Sequence, residues 1–411
     1  MDLFAELIGE LSNIRFASVS DRFIAELEKY NSQTIMKERQ GHMEMLIKGM
    51  RYLKIKIYPV DALEETADFL SSCASFFKNA HGAKVKHAYA KLFIQLLLPI
   101  AEVAVAEVNF PSWAKAVDLM YPRAMKMTLK PRHILAGYPL VTTLLCVSRK
   151  EFFAANWSSV LESCYQKFNK DKYTRLVTLG CVSRLTWTYL FRCTESTAIT
   201  FKKMDLIIKT LFPPFRRAVN PADTPLDHLI LIVYFSLMRD VDSGTKKILF
   251  YLLNTEASSA SNSHNWDLIN PERMIVALTA FRLMLADLEN NVQQPPFPTD
   301  IDMAGCGIPI TCTADVFSGP IRAVKPEVTE KVEEIISKTL SSLDQTFGRL
   351  LVLDEKNIIM RAAQMTSGAN NSTITTNYSV PIFANTVGSS EGPQIHHQYA
   401  SFSVSYTKDK Q

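Results

Sequence analysis

The chain has 411 residues, of which 47% are hydrophobic and 21% charged, and its 45 basic and 41 acidic side chains leave a formal net charge of +4. A chain of this length and hydrophobic content buries a substantial core on folding, which excludes intrinsic disorder over most of it. The small positive excess does not by itself indicate nucleic acid or anionic lipid as a partner.

The apolar segments predict neither a membrane span nor a secretory signal. The stretches at 92–100 and 226–237 are broken by proline or followed by charge well before the ~20 residues that cross a bilayer. The amino terminus MDLFAELIGEL has no basic region before its apolar part, unlike a signal peptide. We therefore expect a cytoplasmic protein. Reduced core thiols are predicted for its seven cysteines, which form no CxxC pair: Cys73, Cys146, Cys164, Cys181, Cys193, Cys306 and Cys312.

The first part of the chain carries a helical spacing of apolar residues. A first helix is predicted from four apolar residues that recur three or four positions apart, Leu3, Leu7, Leu11 and Ile14. Ser20 is predicted to be the N-cap of the second helix. A later helix is expected to begin after an Asp61 cap and to close at Gly82, because glycine is common just beyond the last turn of a helix.

Helical periodicity continues through the middle of the chain. Further helices are predicted at 85–108, 113–121, 140–147, 152–168, 173–191, 204–212, 226–238, 248–253 and 271–288. Prolines, among them Pro122 and Pro139, are expected to mark the joins. Alternating strand patterns are scarce before Pro295, which disfavours an α/β architecture. The sequence predicts an all-α fold, and the many consecutive helices favour an α-solenoid of irregular HEAT/armadillo-like helical pairs over a compact bundle.

Composition divides the chain into four parts. Residues 1–290 are predicted to form a helical-repeat domain, and residues 291–326, with repeated Pro and Gly, an irregular connector. A helical continuation is predicted at 327–361. Residues 362–411 are rich in Ser, Thr, Asn and Gly, and this composition predicts a low-complexity, disordered tail.

The chain shows no catalytic signature. It has no Walker lysine loop, Rossmann glycine fingerprint or HExxH pair, and no GxSxG elbow in a strand-to-helix turn. We therefore expect no enzyme and predict no catalytic, cofactor-binding or metal-binding residue. His81 and His87 flank a turn without the further ligands that a metal needs, so capping or core-edge hydrogen bonding is the simpler interpretation. Four aromatic residues at helical spacing are predicted to lie in the core: Trp113, Trp157, Trp187 and Tyr189.

Basic side chains cluster at the ends of predicted helices. Positive charge near a helix C-terminus complements the helix dipole, which accounts for several of them. Alternatively, the turns of successive helical pairs align into a basic ridge that holds an acidic protein partner. An adaptor for nucleic acid or transport cargo would use the same edge, although the near-neutral total charge makes nucleic acid the weaker prediction. The predicted partner-binding residues are Arg51, Lys54, Lys56, Lys84, Lys86, Lys202, Lys203, Arg216 and Arg217.

Six segments resemble the Furry family of cell-morphogenesis proteins. They are SVSDRFIAELEKY (18–30), LIKGMRYLKIKIYP (46–59), KNAHGAKVKHAYAKLFIQLLLPIAEVAVAEVNFPSW (78–113), YPLVTTLLCVSRKEFFAANW (138–157), RLTWTYLFRCTES (184–196) and KKMDLIIKTLFPPFRRAVNPADTPLDHLI (202–230). The likeness covers about residues 7–254 and extends more loosely to the helix that begins at Pro271.

The resemblance to the Furry family implies a very long protein of HEAT/armadillo-like repeats that acts as a scaffold for NDR-family kinases and their Mob co-activators in polarised growth. It implies no catalytic residue. We accordingly expect a non-catalytic scaffold of cell morphogenesis at the cell cortex, with a kinase and a co-activator of these families as partners and no small-molecule substrate. Because a family member would continue through further repeats beyond Gln411, a short or truncated member is expected.

Overall fold

A computed structural model describes residues 2–30, 37–168, 170–193, 195–212, 226–253 and 271–299, with positions 337 and 341. Every regular element in these ranges is a helix. They are α1 (Asp2–Ile14), α2 (Phe16–Glu28), α3 (Lys37–Met50), α4 (Val60–Asn79), α5 (Ala83–Leu97), α6 (Pro111–Thr128), α7 (Ile134–Cys146), α8 (Lys150–Tyr165), α9 (Lys172–Arg192), α10 (Thr197–Leu211), α11 (Leu226–Arg239), α12 (Val241–Gly244), α13 (Phe250–Leu252) and α14 (Pro271–Glu289). Short 3-10 turns occur at Leu98–Ile100, Glu107–Asn109 and Pro131–His133, and a π-helical turn, Thr245–Leu249, joins α12 to α13.

The chain divides into a compact unit, Met1–Phe347, and a second unit, Gly348–Gln411. The second unit lies outside the described residues. The predicted helix at 327–361, apart from two positions, and the predicted disordered tail at 362–411 also lie outside them. The connector predicted at 291–326 is described only as far as position 299.

Helices of the first unit pack on their next-but-one neighbours. α2, α4 and α6 follow one another in contact, as do α3, α5, α7, α9 and α11, and α6 packs on α7. α8 lies on α7 and α9, while α14 lies on α11. A helical pair cannot bury its apolar faces alone, and successive pairs that cover one another form an α-solenoid. The all-α prediction and the prediction of irregular HEAT/armadillo-like pairs are confirmed.

Helix α9 is enclosed by its neighbours. Every residue from Val177 to Leu190 is buried, so this stretch has no face toward solvent. Two of its hydroxyls donate to its own backbone, Thr178 to the Thr174 carbonyl and Thr188 to the Arg184 carbonyl, which removes the penalty of burying them unpaired. Neither α9 nor any other described helix has a stretch long and apolar enough to cross a membrane.

The residues after α14 cover α9 from outside. Trp187 Nε1 donates to the Pro295 carbonyl, and Arg184 Nε donates to the Pro298 carbonyl, both at 2.9 Å. Phe297 is buried and packs edge-on against Trp187, with 5.0 Å between the ring centroids. This irregular segment is therefore part of the core of the helical unit.

The predicted core aromatic residues and thiols are buried. Trp113, Trp157, Trp187 and Tyr189 are each at most 3% exposed. The five described cysteines are free and buried, as predicted: Cys73, Cys146, Cys164, Cys181 and Cys193. Burial raises the pKa of the Cys146 thiol to about 11, which keeps it protonated and unreactive at neutral pH. Cys306 and Cys312 lie outside the described residues.

Two prolines expected at joins lie inside helices. Pro122 is within α6 and Pro139 is within α7. Proline has no backbone N–H to donate to the carbonyl four residues earlier in the helix. Here those carbonyls belong to Asp118 and Leu135, which are both exposed. Water can solvate such carbonyls, so the apolar face that each helix buries outweighs the local loss.

Helix boundaries around the first turns also differ from prediction. α2 begins at Phe16, which is buried against Phe69, so Ser20 lies inside the helix and donates to the Ala17 carbonyl at 3.0 Å. Burial of the Phe16 ring thus extends α2 by a turn beyond the predicted cap. The prediction of Ser20 as the N-cap was wrong, because a capping signal is read from neighbouring residues, whereas the burial of Phe16 depends on the distant Phe69.

The turn between α4 and α5 contains the glycine that was expected to close α4. Gly82 instead stands immediately before α5, with a φ of +82°, and α4 ends at Asn79. A residue with a Cβ rarely adopts this φ, so glycine suits the turn, but the helix that it borders is the following one. Asp61 lies in the first turn of α4 and not at its cap, which is Pro59.

The contact between α6 and α7 depends on a glycine. A Cβ on Gly137 would lie 2.9 Å from Thr128 N and 3.0 Å from the Met127 carbonyl carbon. Gly137→Ala is therefore expected to destabilise the fold by about 1–3 kcal/mol through overpacking. Gly41→Ala in α3, where a Cβ meets nothing within 4 Å, is the matched control and is expected to stabilise by up to ~1 kcal/mol. Urea unfolding measures both, and equal shifts would contradict the close approach.

Candidate partner-binding surface

Seven of the nine predicted partner-binding residues are described, and the structure separates them into three places. Arg216 and Arg217 lie outside the described residues. Arg51, Lys54 and Lys56 follow α3. Arg51 Nε donates to Gln95 Oε1 at 2.7 Å, and Lys56 Nζ donates to the Asn13 carbonyl at 2.7 Å, so these side chains contact α5 and α1 respectively.

The second place is on α10, where Lys203 is used by the fold itself. Lys203 Nζ lies 2.9 Å from the Glu195 carboxylate and 4.9 Å from the centre of the Tyr189 ring. Tyr189 also donates to Glu195. Lys203 thus closes an internal network, whereas its neighbour Lys202 is exposed.

The third place is the first turns of α5, which carry Lys84 and Lys86. The helix dipole explanation fails here, because these lysines lie at the N-terminal end of the helix, where the dipole is positive. Lys86 is half-buried and is the centre of a group of cations that we call the basic cluster. The cluster comprises Lys86 and Lys91 of α5, Arg123 of α6, and Lys130 and Arg132 at the turn before α7.

A histidine pair lies among these cations. His87 Nε2 and His133 Nδ1 are 2.7 Å apart, and Arg132 Nε donates to His133 Nε2 at 3.2 Å. Because His133 Nε2 accepts from a guanidinium, neutral His133 carries its proton on Nδ1 and donates it to His87. His87 therefore makes the predicted core-edge hydrogen bond, whereas His81 is exposed.

Burial and neighbouring cations lower the pKa values of the titratable groups at this site. Burial lowers the pKa of Lys86, and Arg123, Lys130 and Arg132 lower it further. Burial, followed by His87, Arg132, Lys86 and Lys130, lowers the pKa of His133 to about 4. Within the described part of the chain, no ion pair to a carboxylate involves a cluster member. The cluster is thus an uncompensated positive site that favours an anionic ligand.

Sequence reasoning missed part of this cluster. The pair of Lys130 and Arg132 around Pro131 was visible in the sequence, and its position at a turn signalled an exposed basic site. Arg123 lies in the middle of α6 and His133 is almost completely buried, and no local pattern relates either of them to Lys86. Only the packing of α6 and α7 beside α5 brings them together.

These features define a helical-repeat protein with a cluster of basic side chains where α5, α6 and the turn before α7 meet. Among the described residues, no group of histidine, cysteine and acidic side chains is arranged to hold a metal ion. The family model described as "Cell morphogenesis N-terminal" matches residues 1–405. The chain therefore belongs to the Furry family of cell-morphogenesis proteins.

Two relatives are similar over most of the chain. The cell morphogenesis protein PAG1 of Saccharomyces cerevisiae is 33% identical over 306 residues, which cover 72% of this chain and 12% of that protein. The cell polarity protein mor2 of Schizosaccharomyces pombe is 32% identical over 288 residues, which cover 70% of this chain and 13% of that protein. The chain thus spans a small fraction of the length of both relatives. No solved structure matches the chain.

The buried histidine predicts a pH dependence of stability. Between its folded pKa of about 4 and the ordinary value of 6.5, His133 is protonated in the unfolded chain but not in the folded chain, so stability falls as the pH falls through this window. His133→Gln is expected to reduce the proton uptake on unfolding by about one proton. Urea titrations across the window measure this uptake as a slope.

The wild-type chain in the same buffers is the control for this slope. Burial lowers the pKa of His228, a residue of α11 that packs against Gly180 of α9, to about 3, and this adds a contribution of the same sign that both chains share. If the variant and the wild-type chain show the same slope, His133 does not stay neutral in the folded protein.

Proposed function

We propose that this chain is a non-catalytic scaffold of cell morphogenesis and polarised growth, and that its basic cluster docks an acidic segment of a protein partner. Its two relatives are named for cell morphogenesis and for cell polarity. The chain corresponds to 12–13% of their length, so the proposed role is one docking module within a longer scaffold.

The observation that carries this proposal is the accumulation of like charge at a half-buried site. Lys86, Arg123 and Arg132 come from three different elements, and their mutual repulsion opposes the packing of α5, α6 and α7. An acidic segment of a partner would relieve this repulsion and would form charge-assisted hydrogen bonds with the guanidinium groups. The described residues supply no nucleophile with an adjacent base at this site, so binding is the chemistry that the cluster supports.

For the partner we propose an NDR-family kinase with its Mob-family co-activator, at the cell cortex. The support is the likeness to the Furry family, whose members are understood as scaffolds of this kinase pathway. Lys84 and Lys86, together with the cluster cations that sequence reasoning missed, are the contacts that we favour. Lys203 is the weakest candidate among the predicted residues, because Glu195 and the Tyr189 ring already engage it.

Charge reversal tests the docking surface. The triple variant Lys86→Glu, Lys130→Glu and Arg132→Glu is made in the full chain. In a quantitative pull-down it is expected to capture about tenfold less kinase–co-activator complex than the wild-type chain. The matched control is Lys246→Glu, which reverses an exposed lysine on the π-helical turn. Thermal unfolding checks the fold, because Arg132→Glu relieves repulsion between cations but also removes the hydrogen bond from Arg132 Nε to the buried His133.

Three results separate the parts of the proposal. Unchanged capture by a folded triple variant rejects the basic cluster as the docking surface. Failure of the wild-type chain to capture any such complex rejects the partner. Binding of nucleic acid that falls steeply with added salt, and that the triple variant loses, favours the nucleic-acid adaptor instead.

A further inference from the structure

Two arginines of the basic cluster are oriented by hydrogen bonds that leave part of each guanidinium group available. Arg123 of α6 donates from Nη2 to the Ala80 carbonyl in the turn before α5. Arg132, in the turn before α7, donates from Nε to Nε2 of the buried His133 at 3.2 Å. Within the described residues, Nη1 of Arg123 and both Nη atoms of Arg132 have no acceptor. The two groups therefore keep N–H donors for a ligand.

The cations of the cluster lie around a half-buried lysine. Arg123, Lys130 and Arg132 all lie close enough to Lys86 for their charges to lower its pKa. Lys86 and Arg123 are half-buried, whereas Lys130 and Arg132 are exposed. A ligand that arrives from solvent therefore meets exposed cations at the edge of the site and partly desolvated ones deeper in it. Attraction to the half-buried pair is stronger than at an open surface, because water and salt screen it less.

The N-terminus of α5 adds backbone donors beside these cations. Lys86 N donates to the Gly82 carbonyl, which leaves the N–H groups of residues 83–85 without an acceptor inside the helix. No side chain in the described part of the chain caps α5, and its first turn contains no acid. The hydrogen bond from Arg123 to the Ala80 carbonyl holds a guanidinium group at the turn from which α5 begins. Free N–H groups and the positive end of the helix dipole favour a phosphate group there.

We propose that the basic cluster binds a phosphorylated serine or threonine side chain of a protein partner, with the phosphate held by Lys86 and by the guanidinium groups of Arg123 and Arg132. This inference rests on the proposed docking role of the cluster and names the chemical group that docks. A phosphorylated side chain carries about −1.5 to −2 charges at pH 7 and three acceptor oxygens. Guanidinium groups donate to such oxygens in pairs, and a lysine adds a point charge.

Charge density selects phosphate over the carboxylates of an ordinary acidic segment. Lys86 and the three cations that act on it carry four positive charges, and a carboxylate offers only one negative charge and two oxygens. Side chains of successive residues in an extended segment point in opposite directions, so their carboxylates do not converge on one half-buried site. A phosphate group carries its whole charge at the end of one side chain. Docking at the cluster therefore depends on phosphorylation of the partner.

Peptide libraries test the chemistry of the docked group on the full chain. Three libraries have the same degenerate flanking positions and differ only in the central residue, which is phosphoserine, serine or glutamate. The wild-type chain is expected to retain about tenfold more of the phosphoserine library than of either other library at the same ionic strength. The comparison with glutamate isolates the additional charge and the third oxygen of the phosphate group.

Two variants locate the binding. Lys86→Gln is expected to reduce retention of the phosphoserine library about tenfold, and Lys246→Gln on the π-helical turn is its control. Arg123→Lys keeps the charge but removes the planar fork, so it is expected to reduce the preference for phosphoserine over glutamate. Its control is Arg22→Lys, which replaces an exposed arginine on α2. Thermal unfolding checks each variant, and if Arg123→Lys does not fold, Lys86→Gln alone decides.

Several outcomes would overturn phosphate recognition. Equal retention of the phosphoserine and glutamate libraries does so, as does retention that a folded Lys86→Gln chain leaves unchanged. Retention of nucleic acid, or of vesicles that contain anionic phospholipid, without retention of phosphoserine peptides assigns the cations to a different class of partner and also rejects the proposal.

Phosphatase treatment of the kinase–co-activator complex separates this inference from the proposed function. The wild-type chain is expected to capture about tenfold less of the treated complex than of the untreated one. Equal capture of both keeps the docking surface and overturns its dependence on phosphate. Retention of the phosphoserine library without capture of either complex rejects the proposed partner and keeps the phosphate site.

Discussion

The burial of α9 is the constraint on which the rest of the helical unit depends. A helix that is buried continuously from Val177 to Leu190 has to be covered on every side, and α7, α8 and α11 provide most of that cover. The remaining polar groups of Trp187 and Arg184 need acceptors, which the carbonyls of Pro295 and Pro298 supply. A buried guanidinium or indole N–H left without an acceptor would destabilise the fold. Distant parts of the chain are thereby tied to one helix.

The basic cluster results from the same packing. The packing of α5 and α6 on α7 fixes the relative positions of Lys86 in α5, Arg123 within α6 and Arg132 in the turn before α7. The neighbouring His87–His133 pair stays neutral because burial and the surrounding cations lower the pKa of both imidazoles. The core thus holds repelling charges together in a fixed arrangement. Sites that oppose folding in this way are expected where a ligand supplies the missing charge.

Two surfaces with different chemistry lie on separate elements of the unit. The basic cluster suits an acidic partner, whereas α1 presents the apolar side chains of Leu3, Phe4, Leu7, Leu11 and Ile14 to solvent. Because each helical pair of a solenoid contacts mainly its neighbours, surfaces on different pairs can be occupied independently. This independence is a physical basis for a scaffold, since one partner need not displace another.

The sequence by itself determined the all-helical class, most helix positions and the burial of Trp113, Trp157, Trp187 and the described cysteines, because apolar periodicity is a property of neighbouring residues. It did not determine the direction of α1, whose regular leucine spacing would equally suit a core-facing helix. Tertiary structure fixed that direction at Gly9, where the backbone of α1 lies against the backbone carbonyl of Tyr52. It also assembled the basic cluster, because electrostatic repulsion depends on distance in space, and Arg123 and Lys86 become neighbours only after α5 and α6 have each packed on α7.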